Sequence, residues 1–133
     1  MHIRHRVRYE RLLMKRLQEQ GWECVRSAGS RGAADVIAFR KAPYEVRCIQ
    51  VKSFKKLANA GTLSHVVTAV QEILEMPPSN SYTRWIYVKP LRKEWLELCV
   101  DKYPKNDRKA IRQLIKKNWA FWEPIDKHPQ DMV

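Results

Sequence analysis

Apolar residues recur at helical spacing in three segments of the chain, and each segment predicts an amphipathic helix. The first helix covers residues 6–20, the second begins at Thr62 and stops before Pro77, and the third is capped by Asn106 or Asp107. The apolar faces consist of Leu13, Met14 and Leu17 in the first helix, Leu63, Val66, Val67, Val70, Ile73 and Leu74 in the second, and Ile111, Leu114 and Ile115 in the third.

Short runs that are rich in β-branched and aromatic residues predict strands between and after these helices. They cover residues 22–27, 35–40, 46–53, 84–89, 95–100 and 119–122. One helix, a meander of strands, a helix and further strands predict an α/β fold, in which a mixed β-sheet is flanked by helices. The 133 residues fit one domain, and we expect its core over residues 6–100 and a C-terminal extension of uncertain role over residues 101–133.

Positive charge dominates the composition. The sequence has 26 Lys and Arg residues against 14 Asp and Glu residues, which gives a formal net charge of +12. This excess favours a polyanionic partner, of which nucleic acid is the commonest, although a basic domain that binds acidic lipid or no partner remains an alternative. The candidates for phosphate contacts are Arg4, Arg6, Arg8 and Arg11 near the N-terminus and Lys55 and Lys56 after the third strand.

The cysteine and histidine residues do not have the spacing of a zinc site. Cys24, Cys48 and Cys99 are far apart, and the four histidines show no ligand spacing. The cysteines lie in apolar stretches, so we expect buried free thiols and a reducing compartment. No stretch approaches the ~18 consecutive apolar residues of a membrane span. We therefore expect a cytoplasmic protein with no membrane partner and no small-molecule cofactor; if the chain is viral, the compartment is the host cytoplasm.

Polar side chains stand at positions where a core residue is expected. Glu10 shares the inward face of the first helix, Asp35 opens an apolar strand, and Gln50 and Lys52 project from one face of the next strand. Each position also has an ordinary explanation: a helix residue that reaches water, a turn-capping Asp, and an exposed strand face. The order of the four residues along the chain is what favours a catalytic site.

This order resembles the PD-(D/E)XK nucleases, a superfamily with the restriction-endonuclease-like fold. The sequences CVRSAGS at residues 24–30, DVIA at residues 35–38 and CIQVK at residues 48–52 resemble the core of archaeal-type Holliday junction resolvases more closely. The similarity runs from about Arg8 to Phe54, continues more loosely through the second helix and the strand at residues 84–89, and is not evident beyond about Tyr103. The resemblance implies a metal-dependent endonuclease of DNA recombination and repair that nicks four-way junctions in symmetric pairs, works as a twofold homodimer and uses Mg²⁺, with Mn²⁺ as a substitute.

The resemblance also implies roles for particular residues. Asp35 would be the main ligand of the divalent metal, and the Val51 backbone offers another carbonyl oxygen. Lys52 would lie by the attacking water and the phosphate, and Glu10 would complete the site directly or through water. The remaining match is Ser30 on the active-site loop, with Ser27 as a less exact match to the same serine. Ser27 and Arg31 are further candidates for DNA contacts.

Gln50 departs from the family pattern, which usually has a metal-binding acid at this position. The site therefore loses one negative charge, and weaker metal affinity with retained activity is the first hypothesis. A degenerate site that binds DNA without cutting it is the rival, and a nuclease for flaps, mismatches or duplex sites is a further alternative. Restoring the acid with Gln50→Glu should tighten metal binding; an unchanged metal titration would argue that Gln50 is not a ligand.

Overall fold

The computed structural model describes residues 3–27, 33–54, 60–90 and 92–119, and of residues 3–6 and 60 only the backbone. In chain order the elements are α1 (Ile3–Glu19), β1 (Glu23–Arg26), β2 (Val36–Arg40), β3 (Glu45–Ser53), α2 (Ala60–Ile73), β4 (Thr83–Lys89), β5 (Leu96–Cys99) and α3 (Arg108–Asn118). From α1 to α3 this order confirms the prediction from the apolar spacing.

The strands form one sheet in the order β1-β2-β3-β4-β5. The first three strands are an antiparallel meander, β4 lies parallel to β3, and β5 returns antiparallel to β4. A parallel neighbour requires a crossover connection, and α2 lies in that connection. The protein is therefore an α/β fold with a mixed sheet flanked by helices, as the sequence predicts.

Helix α1 covers one face of the sheet. Its buried Leu13 and Leu17 pack in one cluster with Trp22 and with the side chains that β2, β3 and β4 present on this face. These strand residues are Val36, Ala38, Ile49 and Tyr87. The second residue of β3 to face α1 is Val51, which packs against the same cluster.

Helices α2 and α3 cover the opposite face. The cluster there joins the apolar stripe of α2 to Cys48, Ile86 and Val88 of the sheet and to Ile111 and Ile115 of α3. Strand side chains alternate between faces. Because Cys48 faces α2 while Ile49 faces α1, Gln50 and Lys52 belong to the α2 face of β3.

The predicted ends of some elements differ from the structure. Helix α2 includes Ala60 and Gly61, so Thr62 lies within the helix rather than at its N-cap. The strand predicted at residues 119–122 is wrong at Trp119, whose N–H donates to Ile115 O at 2.8 Å as the C-cap of α3. Residues 120–122 lie outside the described residues. Asp107 is the N-cap of α3, which selects between the two predicted caps.

The cysteines are free thiols, but only Cys48 is buried. Cys24 is partly exposed and Cys99 is exposed, because Cys99 ends the edge strand β5 and faces away from α2 and α3. The prediction of three buried thiols is therefore wrong for these two. Among the described residues, no helix is long and apolar enough to cross a membrane.

Candidate active site

The candidate site lies where β2 ends and β3 continues. The pairing of the two strands stops at Val36 and Ile49, whereas β3 runs on beside β4 as far as Ser53. Asp35, the residue before β2, occupies the position next to this free length of β3. Its N–H donates to Ile49 O at 2.7 Å, and its carboxylate Oδ2 accepts from Val51 N–H at 2.9 Å. The carboxylate thus takes the place that a strand carbonyl would otherwise fill.

The carbonyl of Val51 faces the same side of β3 as its N–H. Within an extended strand, one residue directs both its N–H and its C=O to the same neighbour. Since the Val51 N–H points to the Asp35 carboxylate, its carbonyl also points away from β4 and toward the side where β2 has ended. The predicted backbone ligand is therefore on the same side of the strand as the predicted main ligand.

Gln50 is a buried amide with a defined orientation. Its side chain is 6% exposed, and its Nε2 donates to Ala33 O at 2.5 Å and to Glu72 Oε2 at 3.3 Å. Ala33 precedes Asp35 by two residues, so the bond ties the β2 end of the site to β3. Glu72 belongs to the last turn of α2. Burial of this amide is balanced by both hydrogen bonds, since an unpaired buried amide is costly.

Lys52 lies two residues beyond Gln50 and on the same face of β3. It pairs in register with Val88 of β4 and is partly exposed. A cation here stands at the border between the buried amide and solvent, where a phosphate group can approach it.

Glu10 is buried at 6% exposure on the inward face of α1. Arg26 of β1 lies 3.5 Å from Glu10 through Nη1 and Oε1. Arg26 pairs in register with Val36, so this ion pair lies at the same end of the sheet as Asp35. Glu10 is therefore a paired, buried carboxylate rather than a helix residue that reaches water.

A metal site here must use more than carboxylates. Among the described residues, no group of three or more His, Cys, Asp and Glu side chains is placed to hold a metal ion. The donors that the strand ends bring together are the Asp35 carboxylate, the Gln50 amide and the Val51 backbone. Oxygen donors of these kinds fit Mg²⁺ or Mn²⁺ rather than a soft metal.

A model of the archaeal Holliday junction resolvase (Hjc) family matches residues 1–127. The chain belongs to this family. The match continues well past Tyr103, where the resemblance read from the residues ended. No curated protein matches the chain.

One solved structure of the family shares the fold of this resolvase. It is the 1.6 Å structure of Hjc from Archaeoglobus fulgidus, described as a Holliday junction resolvase from an archaeal hyperthermophile. The TM-score is 0.54 at 20% identity, over 81% of this chain and 92% of that chain. The fold and the family together make the protein a Holliday junction resolving nuclease, an endodeoxyribonuclease of DNA recombination and repair.

The DNA-contact residues predicted for this resolvase are only partly described. Arg8 and Arg11 are exposed on α1, and the Ser27 N–H donates to Asp35 O at 2.9 Å, so Ser27 adjoins the site. The side chains of Arg4 and Arg6, and all of Ser30, Arg31, Lys55 and Lys56, lie outside the described residues.

Sequence reasoning missed two residues that the structure places beside predicted ones. Arg26 enters the sequence-based predictions only as part of the CVRSAGS run at residues 24–30, without a role of its own, and Glu72 is assigned no role. The charge of Arg26 directly before the polar turn is a usable signal. Glu72 has no comparable signal, because its contact with Gln50 depends on how α2 packs across β3.

Proposed function

We propose that this resolvase nicks four-way DNA junctions in symmetric pairs with Mg²⁺, or Mn²⁺ in its place, bound at the end of β3. The ligands would be the Asp35 carboxylate, the amide oxygen of Gln50 and the carbonyl of Val51, with Glu10 joining directly or through water. The observation that carries the proposal is the hydrogen bond from Val51 N–H to Asp35 at 2.9 Å, which fixes a carboxylate beside the buried Gln50.

Different residues of the site would contribute different parts of phosphodiester hydrolysis. A bound Mg²⁺ would supply an acidified water and a positive charge against the scissile phosphate. Asp35 is held in place before DNA arrives, so little reorganisation is needed on binding. Lys52 gives a fixed positive charge where negative charge develops on the phosphate. Arg26 orients the Glu10 carboxylate through their 3.5 Å ion pair.

The excess of positive charge supports backbone recognition of branched DNA. The exposed Arg8 and Arg11 of α1 are the described candidates for phosphate contacts. Symmetric nicks in two strands require two active sites, which a twofold homodimer provides. Because the substrate is DNA, we place the protein inside the cell.

The alternatives make different predictions for a competition assay with a labelled four-way junction. A resolvase cuts the junction in Mg²⁺ or Mn²⁺, stops when the metal is chelated, and prefers the junction to unlabelled duplex of equal length. Equal competition by duplex, flap or mismatched DNA would instead favour a nuclease for another structure. Tight binding without product in either metal would leave a DNA-binding relative with a degraded site and contradict the proposal.

A further inference from the structure

The two partners of Gln50 determine which end of its amide faces the site. An amide carries a donor end and an acceptor end of nearly equal size, and its neighbours decide between them. Ala33 O and Glu72 Oε2 are both acceptors, at 2.5 and 3.3 Å, so the nitrogen faces them. The carbonyl oxygen Oε1 is then the end that is left for a partner elsewhere, and oxygen is the end that a hard metal ion binds.

The position of Glu72 in α2 is electrostatically unfavourable for a carboxylate. It is the last residue but one of α2, where the helix dipole presents its negative end. The last turn of α2 contains no basic residue. Within the described part of the chain, Glu72 forms no ion pair that would offset its charge. The Glu72 side chain is exposed, and its contact in the structure is the one with the buried amide of Gln50.

A carboxylate behind a metal ligand strengthens that ligand. It fixes the orientation of the group and increases the electron density on the donor atom, and loss of such a partner reduces metal affinity. The Glu72–Gln50 pair has this arrangement: the carboxylate accepts from Nε2, and the polarised amide becomes more negative at Oε1. The pair therefore combines a neutral ligand on β3, Gln50, with the negative charge of Glu72, which acts on the metal through Gln50.

We propose that Glu72 is the positioning residue of the metal site, and that it supplies from α2 the negative charge that Gln50 lacks on β3. This inference rests on the proposed metal site at Asp35, Gln50 and Val51. Glu72 would then compensate for the missing acid at position 50, because the site keeps a second carboxylate, placed on α2 instead of β3.

The test is a titration of the DNA-free protein with Mn²⁺ alone, followed by the electron paramagnetic resonance signal of the free ion. Glu72→Gln keeps the size of the side chain and an acceptor oxygen and removes only the charge. We expect it to weaken Mn²⁺ binding by about 10- to 100-fold. Glu75→Gln, which removes an exposed acid paired with Lys105 at 3.0 Å, is the matched control and should bind as the unchanged protein does.

The exchanged variant Gln50→Glu/Glu72→Gln gives the second measurement. It returns the acid to the strand and places an amide on the helix, and we expect it to bind Mn²⁺ within about threefold of the unchanged protein, less than the loss expected for Glu72→Gln alone. Gln50→Glu alone is a poorer test, because it sets a second carboxylate against the charged Glu72, whereas the exchanged variant has a neutral amide at position 72; Ala33 O faces residue 50 in both variants. Thermal unfolding of each variant verifies that the fold is retained.

The variant Asp35→Asn distinguishes failure of the proposed metal site from failure of the role of Glu72. If Asp35→Asn weakens Mn²⁺ binding while Glu72→Gln does not, the proposed metal site stands and the role of Glu72 is refuted. If neither substitution changes Mn²⁺ binding, both the metal site and the role of Glu72 fail. A loss in Glu72→Gln that the exchanged variant restores supports the inference.

Discussion

Lys52 is the residue whose charge the proposed chemistry uses most directly. It lies on the α2 face of β3, two residues from Gln50, and is partly exposed. We expect Lys52→Met to reduce the single-turnover rate of junction cleavage by about 10²- to 10³-fold, since it removes one fixed charge from the transition state. Junction affinity in a gel-shift assay should change much less.

Lys41→Met is the matched control for Lys52→Met. Lys41 is exposed in the turn between β2 and β3, at the opposite end of β3 from the site. Its loss should leave the cleavage rate within about twofold, as for a surface substitution away from the reaction. Similar losses in both variants would mean that general charge, not the position of Lys52, matters.

Glu45 gives a prediction for pH that is independent of the active site. It begins β3 and pairs with Arg40 and Arg47, each at 2.9 Å. Burial works to raise the pKa of Glu45, but the hydrogen bonds and charges of Arg47 and Arg40 outweigh it and lower the pKa below its usual value. The stability from Glu45 is therefore complete above the pKa of the unfolded chain and is lost as pH falls through the lower, folded-state pKa.

The corresponding variant is Glu45→Gln. At pH 7 we expect it to reduce the free energy of unfolding by about 1 kcal/mol, a value discounted for partial exposure of the pair. The difference from the unchanged protein should shrink as pH falls below about 4.3, the usual pKa of Glu in an unfolded chain. Denaturant unfolding at pH 7 and at pH 3 measures it. A difference that grew at low pH would contradict the account.

At the level of single residues, sequence reasoning worked where a local period carries the information. Glu10 was assigned to the buried face of α1 because Leu13 and Leu17 repeat at helical spacing, and it is buried. The common face of Gln50 and Lys52 followed from strand alternation. The contacts of Gln50 with Ala33 and Glu72 could not be predicted in this way, because they join segments whose approach is decided by tertiary packing.

The type and order of the elements were predictable, and their ends were less so. The helix and strand periods differ enough to separate α1, the meander and α2. At Trp119 the aromatic, apolar run resembled a strand, but the residue closes α3 and is buried against the α2 face. Local composition could not distinguish these two uses of a buried tryptophan.

Helix α3 allows a direct test of how firmly the C-terminal region joins the core. Ile111 and Ile115 are fully buried in the cluster with α2, β4 and β5. We expect Ile115→Ala to lower the free energy of unfolding by about 2–5 kcal/mol, because it removes buried methyl groups and leaves a cavity. The exposed Lys117→Ala, two residues on, should stay within about 0.5 kcal/mol.

Denaturant unfolding compares the two α3 variants. A loss of less than about 1 kcal/mol in Ile115→Ala would mean that α3 is not part of the cooperative core, since removal of buried methyl groups from a well-packed site lowers the free energy of unfolding by more than this.

At the scale of the whole molecule, the net charge predicted a nucleic-acid partner, and the periodicity of apolar residues predicted a sheet flanked by helices. The net charge of +12 pointed to nucleic acid, and the family match agrees with that reading. The strand order and the parallel pairing of β3 with β4 are not readable from the periods alone, because they depend on where the crossover helix packs. Those two features bring Glu72 over Gln50 and leave β3 open beside Asp35.

The most direct test of the whole account is to map the nicks in an end-labelled four-way junction after incubation with the protein in Mg²⁺ and, separately, in Mn²⁺. Asp35→Ala serves as the control in both metals. We expect nicks at symmetry-related positions in two opposing strands, which disappear in Asp35→Ala while the junction is still bound. Nicks that persist unchanged in Asp35→Ala, or a bound junction that the unchanged protein cuts in neither metal, would contradict it.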